Sequence, residues 1–144
     1  MRLDDAECRA RARRERVARL ATTGADMRPH LVPVTFALTG DVVVTAVDQK
    51  PKTTTDLRRL RNIDDNSHVA LLWDRYDDEW TRLWWVRGDG AAEVLHTGDR
   101  WQAAVAALQE RYAQYRQGPP QGPAVLVSVE SWSGWSFAAT EESG

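Results

Sequence analysis

Residues 42–63, VVVTAVDQKPKTTTDLRRLRNI, decide how this chain is read. Val42 to Val47 is β-branched almost throughout, which suits a pleated and partly buried strand. A polar turn follows, in which Lys50 and Lys52 flank Pro51. Leu57, Leu60 and Ile63 then recur at three-residue steps, and this spacing predicts a helix starting near Thr53 that buries one face and leaves Arg58, Arg59 and Arg61 in solvent. Helix N-termini attract anions, because free N–H groups and the macrodipole point the same way. Two ammonium groups and the hydroxyls of Thr53 to Thr55 at such a junction make a phosphate seat. The same residues also serve as an ordinary solvated helix start with a threonine cap. No glycine-rich P-loop or GxGxxG motif is present anywhere in the sequence.

Composition narrows the remaining possibilities. At 144 residues the chain reads as one domain, residues 1–144, with a frayed small-residue and acidic tail from about residue 138. A net charge of −2 argues against general nucleic-acid binding, so any anion site is local. There is no long apolar run, and the first residues, MRLDDAECRARARRER, are charged where a signal peptide would be apolar. The expectation is a soluble, cytoplasmic protein that avoids membranes. The single cysteine, Cys8, excludes an intrachain disulfide, and His30, His68 and His96 lack metal-ligand spacing, so no metal is expected. Seven tryptophans are the compositional oddity, since Trp gathers in cores, interfaces and ligand pockets.

The rest of the chain falls into short alternating segments. An Arg- and Ala-rich helix is expected from Leu3 to about Val17, then a strand from Ala18 to Thr22 and a turn at 23–26. RPHLVPVTFAL, residues 28–38, is apolar on both faces and reads as a barrel strand covered inside and out; Pro33 marks it as an edge or a bulge. Thr39-Gly40-Asp41 closes a hairpin to Val42. Further strands are predicted at His68 to Trp73 and, as halves of one bent strand or hairpin around Arg87-Gly88-Asp89-Gly90, at Trp80 to Val86 and Ala91 to His96. Trp101, Val105, Leu108, Tyr112 and Tyr115 share a face, predicting a helix over 99–116, and a last strand runs from Ala124 to about Trp135. The fold class is therefore mainly β with helices: about six strands in an antiparallel split β-barrel, its ends plugged by helices.

Several of these segments together resemble one family. RPHLVPVTFAL, TAVDQKPKTTTDLRRLRNI, VALLWDRYDDEWTRLWWVRGDGAAEVL and VLVSVESWSGW look like the split-barrel flavin and deazaflavin enzymes, and more narrowly like the coenzyme F420-dependent members of the pyridoxamine-phosphate-oxidase class. The likeness runs from about residue 15 to residue 137, and Met27 stands where members usually have a glycine. The resemblance implies a homodimer with cofactor sites at its interface and a deazaflavin that carries a hydride. By position it implies that Lys50 and Lys52 hold the phosphate-bearing tail, that Thr45 and Thr53 make hydroxyl or backbone contacts nearby, and that the strand from His30 through Val32 to Val34 lies beside the ring.

Trp84 and Trp85 point to opposite faces of a strand, so at most one meets a ligand; Trp85 is taken as that one, and Trp80, beside an acidic loop, as a mobile pocket wall. A hydride carrier supplies the hard step itself, so no catalytic acid or base is assigned. The expected function is an F420-using oxidoreductase acting on a small conjugated or heteroaromatic molecule. The alternatives are an FMN-dependent oxidase or reductase on the same fold and a non-catalytic flavin or deazaflavin binder.

Overall fold

The hairpin pattern folds as an antiparallel ladder with one strand more than expected. A computed structural model of the chain describes residues 1–47 and 57–138. In order, the elements are α1 (Asp5–Arg14), β1 (Ala18–Thr23), β2 (Pro29–Val34), β3 (Ala37–Thr39), β4 (Val42–Ala46), α2 (Arg58–Asp65), β5 (His68–Arg75), a 3-10 turn (Trp80–Arg82), β6 (Trp84–Leu95), α3 (Asp99–Arg111), α4 (Ala113–Gln117) and β7 (Ala124–Ser136). The seven strands form one sheet in the order β2-β1-β5-β6-β7-β4-β3.

The extra strand comes from dividing one. The segment 28–38 is interrupted at Thr35 and Phe36, so that β2 pairs with β1 while β3 pairs with β4. The two edges of the sheet are thus successive stretches of the same backbone, and the sheet curls into a split barrel around them. Pro33 lies on an edge, as its missing N–H requires. The interior is filled from every strand: Leu20, Phe36, Leu71, Trp73, Val86, Val125 and Val127 are essentially inaccessible, and Phe36 and Trp132 pack against Trp73 with ring centroids 5.5 and 5.8 Å away. The other side of β4, with Val44 and Ala46, is covered by α3 through Ala104 and Leu108. Cys8 of α1 is fully buried, and burial, followed by Asp5, Asp4 and Glu7, pushes its thiol up to about 11.

Three features differ from the expectation. The helix over 99–116 breaks at Tyr112, whose backbone is extended at φ −121° and ψ 122°. Apolar periodicity carries straight through that point, but the tyrosine hydroxyl is held by the strand bend: it accepts from Phe36 N at 3.1 Å and lies 3.0 Å from Phe36 O and 2.9 Å from Arg16 O. Second, of the two readings of 80–96 the single strand holds, as β6 with a register shift between Asp89 and Gly90, but it begins only at Trp84, and Trp80 sits in the 3-10 turn before it. A side chain at Gly90 would collide with the Ser128 carbonyl, so the shift needs glycine there. Third, the outward side of β2 is uncovered: Leu31 is 65% exposed. Its two-faced apolarity was legible, but the second cover is not supplied by these residues.

Met27 is the one non-glycine residue with positive φ among the described residues, at 62°, in the β1–β2 turn. An L-residue there is strained by its Cβ, and the side chain is 76% exposed and contributes little packing. Met27→Gly is therefore expected to stabilise the fold by about 0.5–1 kcal/mol, read from the denaturant midpoint at unchanged slope. Tyr112→Phe, by contrast, leaves the Phe36 amide without its partner and is expected to cost about 1–2 kcal/mol in the same assay.

Candidate functional site

Antiparallel alternation decides which predicted residues share an end of the barrel. β1 ends, β2 begins, β5 begins and β4 ends at the same pole, because each neighbour in the sheet runs opposite to the last. His30, the second residue of β2, and Thr45, the penultimate residue of β4, are therefore at one end. Both project inward: His30 pairs with the buried Thr22, and Thr45 pairs with the buried Val125.

α2 caps this end. Its Asn62, 5% exposed, donates from Nδ2 to the Thr22 hydroxyl at 3.0 Å. At Gly24 a side chain would collide with the Asn62 amide oxygen, so that glycine lets the helix approach the turn. This Thr22–Asn62 lock was not foreseen, although a lone asparagine between Leu60 and Ile63 on the apolar side of a short helix is the kind of signal that marks one. Leu57 is the extended N-cap of α2, which corrects the expected start near Thr53 to Arg58. Leu60 and Arg61 N–H groups return to the Leu57 carbonyl. Arg58 also pairs with Asp26 at 3.2 Å, between two partly exposed side chains.

Two polar atoms at this end are buried without a hydrogen-bond partner among the described residues, Thr45 Oγ1 and His30 Nδ1. Thr45 is 2% exposed overall. A buried hydroxyl left unpaired is costly, and such groups are rare in structural cores. Burial, and then Arg58 and Arg59, hold the His30 imidazole below its ordinary pKa, so it sits neutral at physiological pH with an acceptor or donor still to place. Lys50, Pro51, Lys52 and Thr53 lie outside the described residues.

The other predicted residues separate. Val32 is partly buried against the interior, and Val34, at the far end of β2, is part of the core. Trp85 is paired with Asp74 and Trp135 on the outward side of the sheet, while Trp84 is buried. Trp80 is 68% exposed. Along β5, the register places Thr22 opposite Val69 and Trp85 opposite Asp74, so Trp80 and Trp85 stand roughly 17 Å down the strand from the His30 end. His30 and Thr45 both face the interior on strands that point to the α2 pole, whereas Trp80 and Trp85 stand toward the opposite pole of the same chain. Among the described residues, no helix is long and apolar enough to cross a membrane.

His30 gives a measurable consequence. Its folded pKa lies below the unfolded value, so the unfolded chain binds the proton more readily; the associated stability is fully present above about pH 6.5 and is lost as pH falls below it. His30→Gln is expected to flatten the decline of stability between about pH 6.5 and 5, measured as the difference between the two proteins' denaturant midpoints, and to leave the neutral-pH end little changed.

A family profile described as pyridoxamine 5'-phosphate oxidase matches residues 4–136. No curated protein matches the chain. Among solved structures, the conserved hypothetical protein Rv2991 of Mycobacterium tuberculosis superposes with a TM-score of 0.76 at 19% identity, covering 94% of this chain and 86% of that one. A FAD-binding protein of Mesorhizobium loti gives 0.69 at 19% identity, with 93% and 95% covered. HutZ, a heme storage protein of Vibrio cholerae, gives 0.68 at 17% identity, with 91% and 90% covered. At these identities the structural likeness establishes the shared fold.

Proposed function

The chain belongs to the pyridoxamine 5'-phosphate oxidase family, and on that premise we propose that it is an oxidoreductase holding a phosphate-bearing deazaflavin, coenzyme F420, with FMN as the alternative. The observation that carries this reading is the pair of buried atoms without a hydrogen-bond partner among the described residues, Thr45 Oγ1 and His30 Nδ1, at the barrel end where the family resemblance puts the cofactor. A hydroxyl and a neutral imidazole fit such a group well. Both can donate or accept, and neither adds a charge beside an electron-carrying ring.

When bound, the cofactor supplies hydride transfer. The chain's own residues position and shield it. Thr45 offers a hydrogen bond from the barrel interior, His30 one from the edge strand, and Val32 an apolar surface between them. Lys50 and Lys52, with Pro51 and Thr53 next to them in sequence, neutralise the phosphate. Arg58 and Arg59 extend positive charge past that seat, which favours a cofactor with an acidic tail over one ending in a single phosphate. Arg58 is shared with Asp26 at 3.2 Å. The substrate class consistent with a hydride donor on an open edge strand is a small conjugated or heteroaromatic molecule.

We further read the assembly as a homodimer. Leu31 and Leu72 leave an apolar outward face on β2 and β5, flanked by the Arg19–Asp74 and Arg87–Asp89 ion pairs. Trp80 and Trp85, at the far pole of their own chain, reach a cofactor at the α2 end only from a second copy. A carrier role is the second reading, favoured by the heme storage protein that shares the fold.

Fluorescence titration with F420 and FMN, on protein whose state is read by sedimentation, tests the proposal. F420 is expected to bind the more tightly, and Lys52→Ala to weaken it by roughly ten- to a hundredfold at unchanged melting temperature. Turnover of enones or quinones with reduced F420 separates the enzyme from the carrier. Equal affinity for both cofactors, or no effect of Lys52→Ala, overturns the assignment.

A further inference from the structure

The pole opposite α2 carries a cleft of its own. It measures about 560 Å³ and lies between the last turns of α1, the 3-10 turn and the first residue of β6. Four arginines line it, Arg11, Arg14, Arg75 and Arg82, against two acids, Glu7 and Glu15. Both acids are already engaged. Glu7 accepts from Arg11 at 2.8 Å, and both Glu15 oxygens accept from Arg75 at 2.9 to 3.2 Å.

Two guanidinium groups are left over. Arg14 uses Nε on the Ala10 carbonyl of its own helix at 3.1 Å and has no carboxylate partner among the described residues. Arg82 is 74% exposed, with Asp77 no closer than 3.8 Å, beyond hydrogen-bond reach. The wall between them is Trp84, and the Arg11 guanidinium carbon stands 5.5 Å from its ring centroid. A second cleft of about 660 Å³ opens beside the first and shares Arg75, Arg82 and Trp84. From Val69 to Arg75 this pole lies roughly 20 Å along β5 from the His30 end, so it is separate from the cofactor seat of a single chain.

We propose that this cleft is a binding site for a small organic anion with at least two carboxylates on a planar body. Arg14 and Arg82 take the carboxylates, since among the described residues neither donates to a carboxylate at hydrogen-bond distance and each presents a planar guanidinium fork. The body lies against the Arg11 and Trp84 stack. Neither the ion-paired Arg75 nor Arg11 is needed for charge; they set the shape and keep Glu7 and Glu15 from repelling the ligand.

Calorimetric titration of the full chain with benzene-1,3,5-tricarboxylate at low salt, with benzamide and inorganic phosphate as comparators, tests it. Saturable binding of the tricarboxylate is expected, weaker binding of phosphate and none of benzamide, with affinity falling as salt rises. The double variant Arg14→Gln, Arg82→Gln is expected to weaken the tricarboxylate at least about tenfold, because both charge-assisted contacts go. Its melting temperature without ligand should stay close to that of the parent, because Arg14 has no carboxylate partner among the described residues and the exposed Arg82–Asp77 pair, 3.8 Å apart, contributes little to folding. Arg58→Gln, at the other pole, should leave the tricarboxylate unaffected. Absence of saturation up to about 10 mM, equal affinity in the double variant, or a loss caused by Arg58→Gln would each overturn the proposal.

Discussion

Everything in this fold hangs on one bend. Between Val34 and Ala37 the chain leaves one edge of the sheet and joins the other, and that step turns a seven-stranded ladder into a barrel. A backbone bend of this kind gives up ladder hydrogen bonds, and the vacated groups must be met elsewhere. Here they are met from the helical layer: Tyr112 takes both polar groups of Phe36, the Arg111 guanidinium donates to the Phe36 carbonyl at 3.3 Å and stacks on the Phe36 ring at 4.4 Å, and the Tyr115 hydroxyl bonds the Thr35 side chain at 2.7 Å. The price is a broken helix at residue 112. Arg111 also reaches the Glu15 carbonyl, so the same cluster ties α1 to the bend.

Closure gives the barrel two poles with different chemistry. At one, α2 covers an interior that contains a buried asparagine, a threonine pair and a half-buried histidine, all short polar groups at fixed positions. At the other, long arginines from α1, β5 and the 3-10 turn stand over a tryptophan. The first is suited to orienting an uncharged ring, since a buried acceptor or donor acts over one hydrogen bond and little further. The second works at longer range and in contact with solvent, where charge attracts but salt weakens it. Trp73 and Trp132 fill the space between the poles and belong to neither.

Much of this was readable because Val125, Val127 and Val129 alternate as a strand with one core side does, and because the β-branched run Val42–Val47 suits a strand covered on both sides. The division at Thr35–Phe36 was not, since Leu31 to Leu38 is apolar on both sides and no residue in it specifies a turn. The break at Tyr112 was hidden for the converse reason: Trp101, Val105, Leu108, Tyr112 and Tyr115 sustain a helical period that only a distant carbonyl overrides. His30 and Thr45 could be named, whereas the Thr22–Asn62 lock pairs residues forty positions apart. The arginine cleft escaped notice because its members are spread from residue 11 to residue 82 and those of α1 read as a solvated helix face. Met27 stood out in the sequence as a departure from glycine, and its positive φ gives that departure a steric meaning.

The buried thiol of Cys8 makes the chain its own stopwatch. A thiol held near 11 is almost wholly protonated at neutral pH, and one with no accessible surface cannot be approached by a disulfide reagent. Alkylation must therefore wait for α1 to lift from the barrel. With no second cysteine to compete, the rate of that single modification reports directly how often the helix opens, and ligands bound at either pole can be compared by how far they slow it.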